Sequence, residues 1–153
     1  MSDPSVTHRA IVGFDGSENS LAALDWAMTH VQRLGGGVIK VVMSWAYAPT
    51  AVGGYGLGGM LPPAESMQDA TERALADAIE EITPPDGVTL TPVVREGSAS
   101  VVLIEESADA EILVVGKRGH GGFLGLLMGS VTSQVANHAV CPVVIVPGPA
   151  NRG

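Results

Sequence analysis

The feature that most constrains how this chain can fold is an alternation. Short apolar runs at residues 10–14, 38–46, 112–115 and 142–146 are separated by stretches whose apolar positions recur every three or four residues. An apolar run of strand length suits a strand covered on both faces, whereas the three-to-four spacing suits one face of a helix. Strand followed by helix followed by strand implies parallel strands, right-handed crossovers and helices on both sides of one sheet. The expected fold class is therefore α/β, an open Rossmann-like sheet of five parallel strands.

The local signals agree with this. The first strand, 10–14, ends in Asp15-Gly16-Ser17, a turn sequence. Leu21, Leu24, Met28, Val31 and Leu34 then define one helical face, with Ser17 or Asp15 as cap and Gly35-Gly36-Gly37 as stop. After the second strand, 38–46, the periodicity fails. Residues 47–63 are rich in glycine and proline and predict a long mobile loop. A second helix is expected over 64–82, with Met67, Thr71, Leu75, Ala78 and Ile82 on its buried side, ended by Pro84-Pro85-Asp86-Gly87. Residues 88–95 alternate loosely and contain Pro92, which predicts a third strand near an edge. Gly97-Ser98 opens a short helix, 112–115 is the fourth strand, 130–138 a helix, 142–146 the fifth strand and 147–153 a tail. With no internal repeat and no linker, residues 1–153 read as a single domain.

Composition narrows the function. Eight basic against 16 acidic residues give a net charge of −8, which argues against duplex nucleic acid as a partner. A single cysteine, Cys141, excludes an internal disulfide, and the four widely spaced histidines show no metal-ligand pattern, so no protein-held metal is expected. The longest apolar runs are far short of the roughly 20 residues that cross a membrane. With no apolar signal segment at its start, the chain is expected to be cytoplasmic and not membrane-bound.

Ligands of such sheets sit beyond the carboxyl ends of the strands, where strand order reverses. The ends at Asp15, near Ser44 and at Gly116 are therefore the places to look. Gly54, Gly56 and Gly59 formally spell G-x-G-x-x-G, but no strand runs directly into them and Pro62-Pro63 follows, so they read as loop. Gly116-Lys117-Arg118-Gly119, by contrast, leaves the fourth strand directly, and Gly129-Ser130 opens a helix nine residues later. Glycines let the backbone approach an anion, and a helix start offers unpaired N–H groups at its positive end. An ordinary tight turn with a helix cap would share this spacing. No P-loop occurs anywhere in the chain.

Gly13-Phe14-Asp15-Gly16-Ser17, Val114-Val115-Gly116-Lys117-Arg118-Gly119 and Gly129-Ser130-Val131-Thr132 together resemble the universal stress protein family. The resemblance runs from about residue 8 to Val146 and includes a complete G-x2-G-x9-G-[ST] motif. It implies strand order 3-2-1-4-5, a homodimer through the last strand (Val143, Val144, Ile145, Val146), and ATP as ligand. By position, Asp15 would meet the ribose or adenine edge, with Gly13 and Phe14 before it also in the ATP site, Met43 and Ser44 would border the adenine, and Val115 would lie near the base. Gly116, Lys117, Arg118, Gly119, Gly129 and Ser130 would hold ribose and phosphates, joined by the N–H groups of Val131 and Thr132, with Mg²⁺ arriving on the phosphates.

Chemistry beyond binding has little support. A hydrolase needs a base near the terminal phosphate, and His120 is the one nearby candidate; it reads as an exposed loop histidine. Cys141 reads as buried and inert, Trp26 and Trp45 as packing residues, and His138 as a favourable charge at a helix end. The fifth strand, wholly apolar, would be a hazard as an unpaired sheet edge, and pairing with its own copy would cover it. The leading expectation is an ATP-binding stress-response protein acting as a switch. Three alternatives stand beside it: a slow ATPase or nucleotidyl transferase, a chaperone-like module that binds a protein partner through loop 47–63, and a cyclic AMP binder.

Overall fold

The computed structural model describes residues 7–47, 61–118 and 129–148. Within them, strands β1 (His8–Gly13), β2 (Gly37–Trp45), β3 (Val88–Glu96), β4 (Ile112–Gly116) and β5 (Val143–Val146) form one parallel sheet. Their order is β3-β2-β1-β4-β5, as the resemblance implied. The helices are α1 (Glu18–Arg33), α2 (Ala64–Glu80), α3 (Ala99–Glu106) and α4 (Ser130–His138), with a 3-10 turn over Ser107–Asp109.

The sheet is apolar on both faces because both are covered. Side chains alternate along β1: Ala10 and Val12 point into a core shared with Leu24, Val31 and Leu75 of α1 and α2. Ile11 points the other way, into a second core with Val102, Leu103 and Val135 of α3 and α4. The charged tier at the rim of the second face pins α3 to the sheet: Arg95 meets Glu105 at 2.7 Å and Glu106 at 3.3 Å, and Lys40 meets Glu106 at 3.6 Å. Glu105 is the main cause that raises the Arg95 guanidinium above its ordinary value.

Helix α1 starts and stops where its sequence says. Ser17 accepts from the Ser20 N–H at 3.2 Å as N-cap. At the other end, Gly36 N–H donates to Val31 O at 2.9 Å and Gly35 N–H to Gln32 O at 3.0 Å. That pair of bonds requires left-handed backbone, and Gly35 and Gly36 have φ of +109° and +111°.

Several boundaries differ from the sequence reading. β1 begins at His8 and β2 at Gly37, two polar or side-chain-free positions recruited by the parallel pairing of His8 with Gly37. β1 ends at Gly13, although the Phe14 N–H still donates to Val42 O at 2.9 Å. α2 ends at Glu80 rather than at residue 82, but Ile82 still packs against the first core. Pro92 sits in β3, an edge strand. Most of the glycine-rich loop (48–60), and Gly119 and His120 with the rest of 119–128, lie outside the described residues.

Candidate functional site

Strand order reverses between β1 and β4, so the crevice at their carboxyl ends is where this topology accepts a ligand. Asp15 leaves β1 there. Its Oδ1 accepts the Ser17 N–H at 2.9 Å, while Gly16 at φ +83° turns the chain into α1. Ser20, 4% exposed, donates its hydroxyl to Ser17 O at 2.9 Å and lies 3.4 Å from the Asp15 N–H. The turn is thus set by a compact polar network, and Asp15 is held exposed at the crevice.

Across the crevice, α4 is fastened to the end of β4. Lys117 N–H donates to Val146 O at 2.8 Å, and Gly129 N–H donates to Lys117 O at 2.9 Å. The Thr132 hydroxyl donates to Gly116 O at 2.7 Å. Gly129 is the N-cap and has no side chain to satisfy the helix start. The first intrahelical donation is from Ser133 N–H to Gly129 O at 3.0 Å, so Ser130, Val131 and Thr132 begin α4 without intrahelical acceptors. Among the described residues no side chain caps this start, and at such a helix start backbone N–H groups and the helix dipole favour an anion. Lys117, half-buried, and Arg118, exposed, stand beside it.

Gly116 and Gly129 do not rely on left-handed backbone. Gly129 has φ −71° and Gly116 is not among the glycines at positive φ. A Cβ at Gly116 would lie 2.8 Å from the backbone carbon, carbonyl oxygen and Cβ of Asn19. Gly116 is therefore required for α1 to pack onto β4. The sequence reading missed Asn19 in this role and Ser20 in the turn after β1. The signal available was a pair of polar residues beginning an otherwise apolar helical face.

The remaining predicted residues divide between crevice and core. The side chains of Phe14 and Val115 are buried in the first and second cores, so these two can offer a ligand only backbone. At Gly13 a Cβ would meet Leu103 at 2.7 Å, which makes it a packing glycine as well. Met43 packs partly against the first core, and Ser44 is half-buried at the end of β2, paired with Arg95. Trp45 is buried, donates its indole N–H to Gln68 Oε1 at 2.6 Å and meets Tyr47 edge-on. Gln68 also donates to Val94 O at 3.2 Å, so it joins α2 to the ends of β2 and β3.

Away from the crevice, Trp26 stacks on His30 at 4.8 Å on the outside of α1. His138 lies in the last turn of α4. Cys141 is half-buried rather than buried, and its partial burial raises the thiol above its ordinary value. Among the described residues, no group of three or more His, Cys, Asp or Glu side chains could hold a metal ion. None of the described helices is long and apolar enough to cross a membrane.

Comparisons with known proteins agree with this architecture. A family model described as the universal stress protein family matches residues 7–147. A universal stress protein of Mycolicibacterium smegmatis is 30% identical over 144 residues, covering 90% of this chain and 47% of its own length. One from Mycobacterium tuberculosis, Rv1636, is 29% identical over 146 residues, covering 89% of this chain and 93% of its own length. The chain thus spans about half the length of the first relative and nearly all of the second. Among solved structures, universal stress protein UspA from Lactobacillus plantarum has TM-score 0.73 at 19% identity, covering 91% of this chain and 97% of that one. A universal stress protein in complex with cAMP has TM-score 0.57 at 28% identity, covering 95% and 100%. A family protein from Arabidopsis thaliana with AMP bound has TM-score 0.59 at 18% identity, covering 95% and 94%.

Proposed function

This chain belongs to the universal stress protein family, and from that premise we propose that it binds an adenine nucleotide and acts as an ATP-dependent switch in a stress response. The observation that carries the reading is the placement, at the carboxyl ends of the adjacent strands β1 and β4, of the exposed Asp15 carboxylate and of the start of α4, whose N-cap Gly129 has no side chain. A nucleotide has parts that match both: ribose hydroxyls can donate to a carboxylate, and phosphates are the anions a helix start favours. The solved relative in complex with cAMP, 28% identical to this chain, supports the nucleotide class.

In this reading Asp15 takes the ribose or adenine edge, and Met43 and Ser44 at the end of β2 border the base. Gly13, Phe14 and Val115 contribute backbone. Gly116, Lys117, Arg118, Gly119, Gly129, Ser130, Val131 and Thr132 surround the phosphates, which bring Mg²⁺ with them. The chain acts as one domain over 1–153, as a cytoplasmic homodimer, and by binding rather than turnover. A protein partner would read the nucleotide state through loop 47–63. Cyclic AMP is the second reading, favoured by that same relative.

Calorimetry with ATP, ADP and cAMP tests the proposal. Gly129 is the informative position, because its φ of −71° and ψ of 161° suit any residue. In Gly129→Asp the carboxylate caps the N–H groups at the start of α4 and repels a phosphate, so stability holds or rises slightly while ATP affinity falls at least about tenfold. Silence of the wild type toward every adenine nucleotide, or unchanged binding by Gly129→Asp, overturns the reading. Displacement of ATP by cAMP at comparable concentration selects the second reading over the first.

A further inference from the structure

We propose that Thr132 is a positioning residue, whose hydroxyl aims the start of α4 at the ligand phosphates without itself donating to them. The proposal rests on the nucleotide-binding reading above. Thr132 is the third residue of α4 and is only 4% exposed. Threonine in a helix commonly returns its hydroxyl to a carbonyl of its own preceding turn. Here the hydroxyl instead donates its one proton to Gly116 O, 16 residues back and on another element, at 2.7 Å. That is the ordinary length for a good O–H···O bond.

The bond works as one half of a pair. Gly129 N–H holds Lys117 O at 2.9 Å, so the first turn of α4 is tied at both its ends to two successive carbonyls where β4 finishes. Two ties at the ends of one turn fix its rotation as well as its distance. The N–H groups of Ser130 and Val131 lie between the ties. Gly116 cannot yield, because it is packed against the Asn19 backbone of α1. The clasp therefore refers the phosphate-facing amides to the same rigid junction of β1, α1 and β4 that presents Asp15. A β-branched side chain with restricted χ1 holds such a bond at low entropic cost.

The test separates aim from general loosening by varying the number of phosphates. Adenosine, AMP and ATP are titrated into wild type, Thr132→Val, Thr132→Ala and Thr132→Ser, by calorimetry and by chemical-shift titration for the weak ligands. Losing one neutral hydrogen bond predicts an ATP affinity about five- to tenfold lower in Thr132→Val and Thr132→Ala. Adenosine affinity should stay within about twofold, and Thr132→Ser should recover most of the ATP affinity. Thr132→Ala guards against a fault of valine packing. Wild-type ATP affinity in both Thr132→Val and Thr132→Ala, an equal loss for adenosine and ATP, or no rescue by serine overturns the positioning role while leaving the nucleotide reading standing. Wild type that binds no adenine nucleotide overturns the nucleotide reading, and the positioning role falls with it.

Discussion

At the scale of single residues, the crevice is built from groups with two duties. Gly116 ends β4 beside the candidate site, yet what it requires of its neighbours is close packing: an added Cβ would sit 2.8 Å from the Asn19 backbone, which is held in α1. Gly116→Ala is therefore expected to destabilise the fold by about 1–3 kcal/mol, the range for overpacking against atoms that cannot move aside. Gly148→Ala provides the contrast. Among the described residues, the atoms nearest its Cβ would be those of the Asn19 side-chain amide, which can rotate, so a denaturant melt should show a clearly smaller loss. Equal midpoints for the two variants would contradict this account. The spacing of Gly116 and Gly129 was legible in the sequence, whereas the reason for Gly116 was not. It depends on Asn19, nearly a hundred positions away in the chain and recognisable only once α1 lies on β4. Phe14 and Val115 have the same history: their place in the chain is beside the crevice, but the pleat turns their side chains into the cores.

At the scale of elements, all five strands and the four helices were legible, because each carries its own periodicity or apolar run. The first residues of β1 and β2 were not, because His8 and Gly37 are strand residues through their pairing with each other rather than through hydropathy. The edge character of β5 has a further consequence. Pro142 O and Val146 O accept from Leu113 and Lys117 of the β4 side. Successive strand residues direct their backbone groups to opposite edges, so those of Val143 and Ile145 face away from β4. Val143, Val144 and Ile145 are only half-buried, and Val140 beside them is 71% exposed. Such an edge is a template for another strand, and the proposed homodimer would use it. Val143→Pro removes one outward N–H without touching the bonds to β4. Sedimentation at micromolar concentration should then show dimeric wild type and a variant shifted to monomer, with an unchanged helical spectrum. Monomeric wild type, or a variant as dimeric as wild type, would remove β5 as the interface.

At the scale of the whole molecule, one sheet carries two cores, and every layer is anchored to β1, β2 or β4. Neither core can lose its packing without exposing a face of the strands that support the other, so the chain should unfold as one unit. The net charge of −8 does not oppose a phosphate ligand in this arrangement, because the crevice would hold it through backbone N–H groups at a helix start rather than through a basic surface. The crevice also joins the two layers: Asp15 leads into α1 on the first face, and Thr132 lies in α4 on the second. A nucleotide bound between them would stabilise both together. At free ATP of about 100 times its dissociation constant, mass action adds about 2.7 kcal/mol. For a domain of this size that corresponds to a rise in melting temperature of about 5–10 °C. Far-ultraviolet dichroism would follow all the helices, and fluorescence would follow Trp26 and Trp45, both on the first-face side of the molecule. Amide exchange at Val102 and Val135 would report the second core. A single transition that moves as a whole with ATP is expected in all three. Separate transitions, or protection gained on one face alone, would mean that the sheet does not couple its two cores and that the crevice does not bridge them.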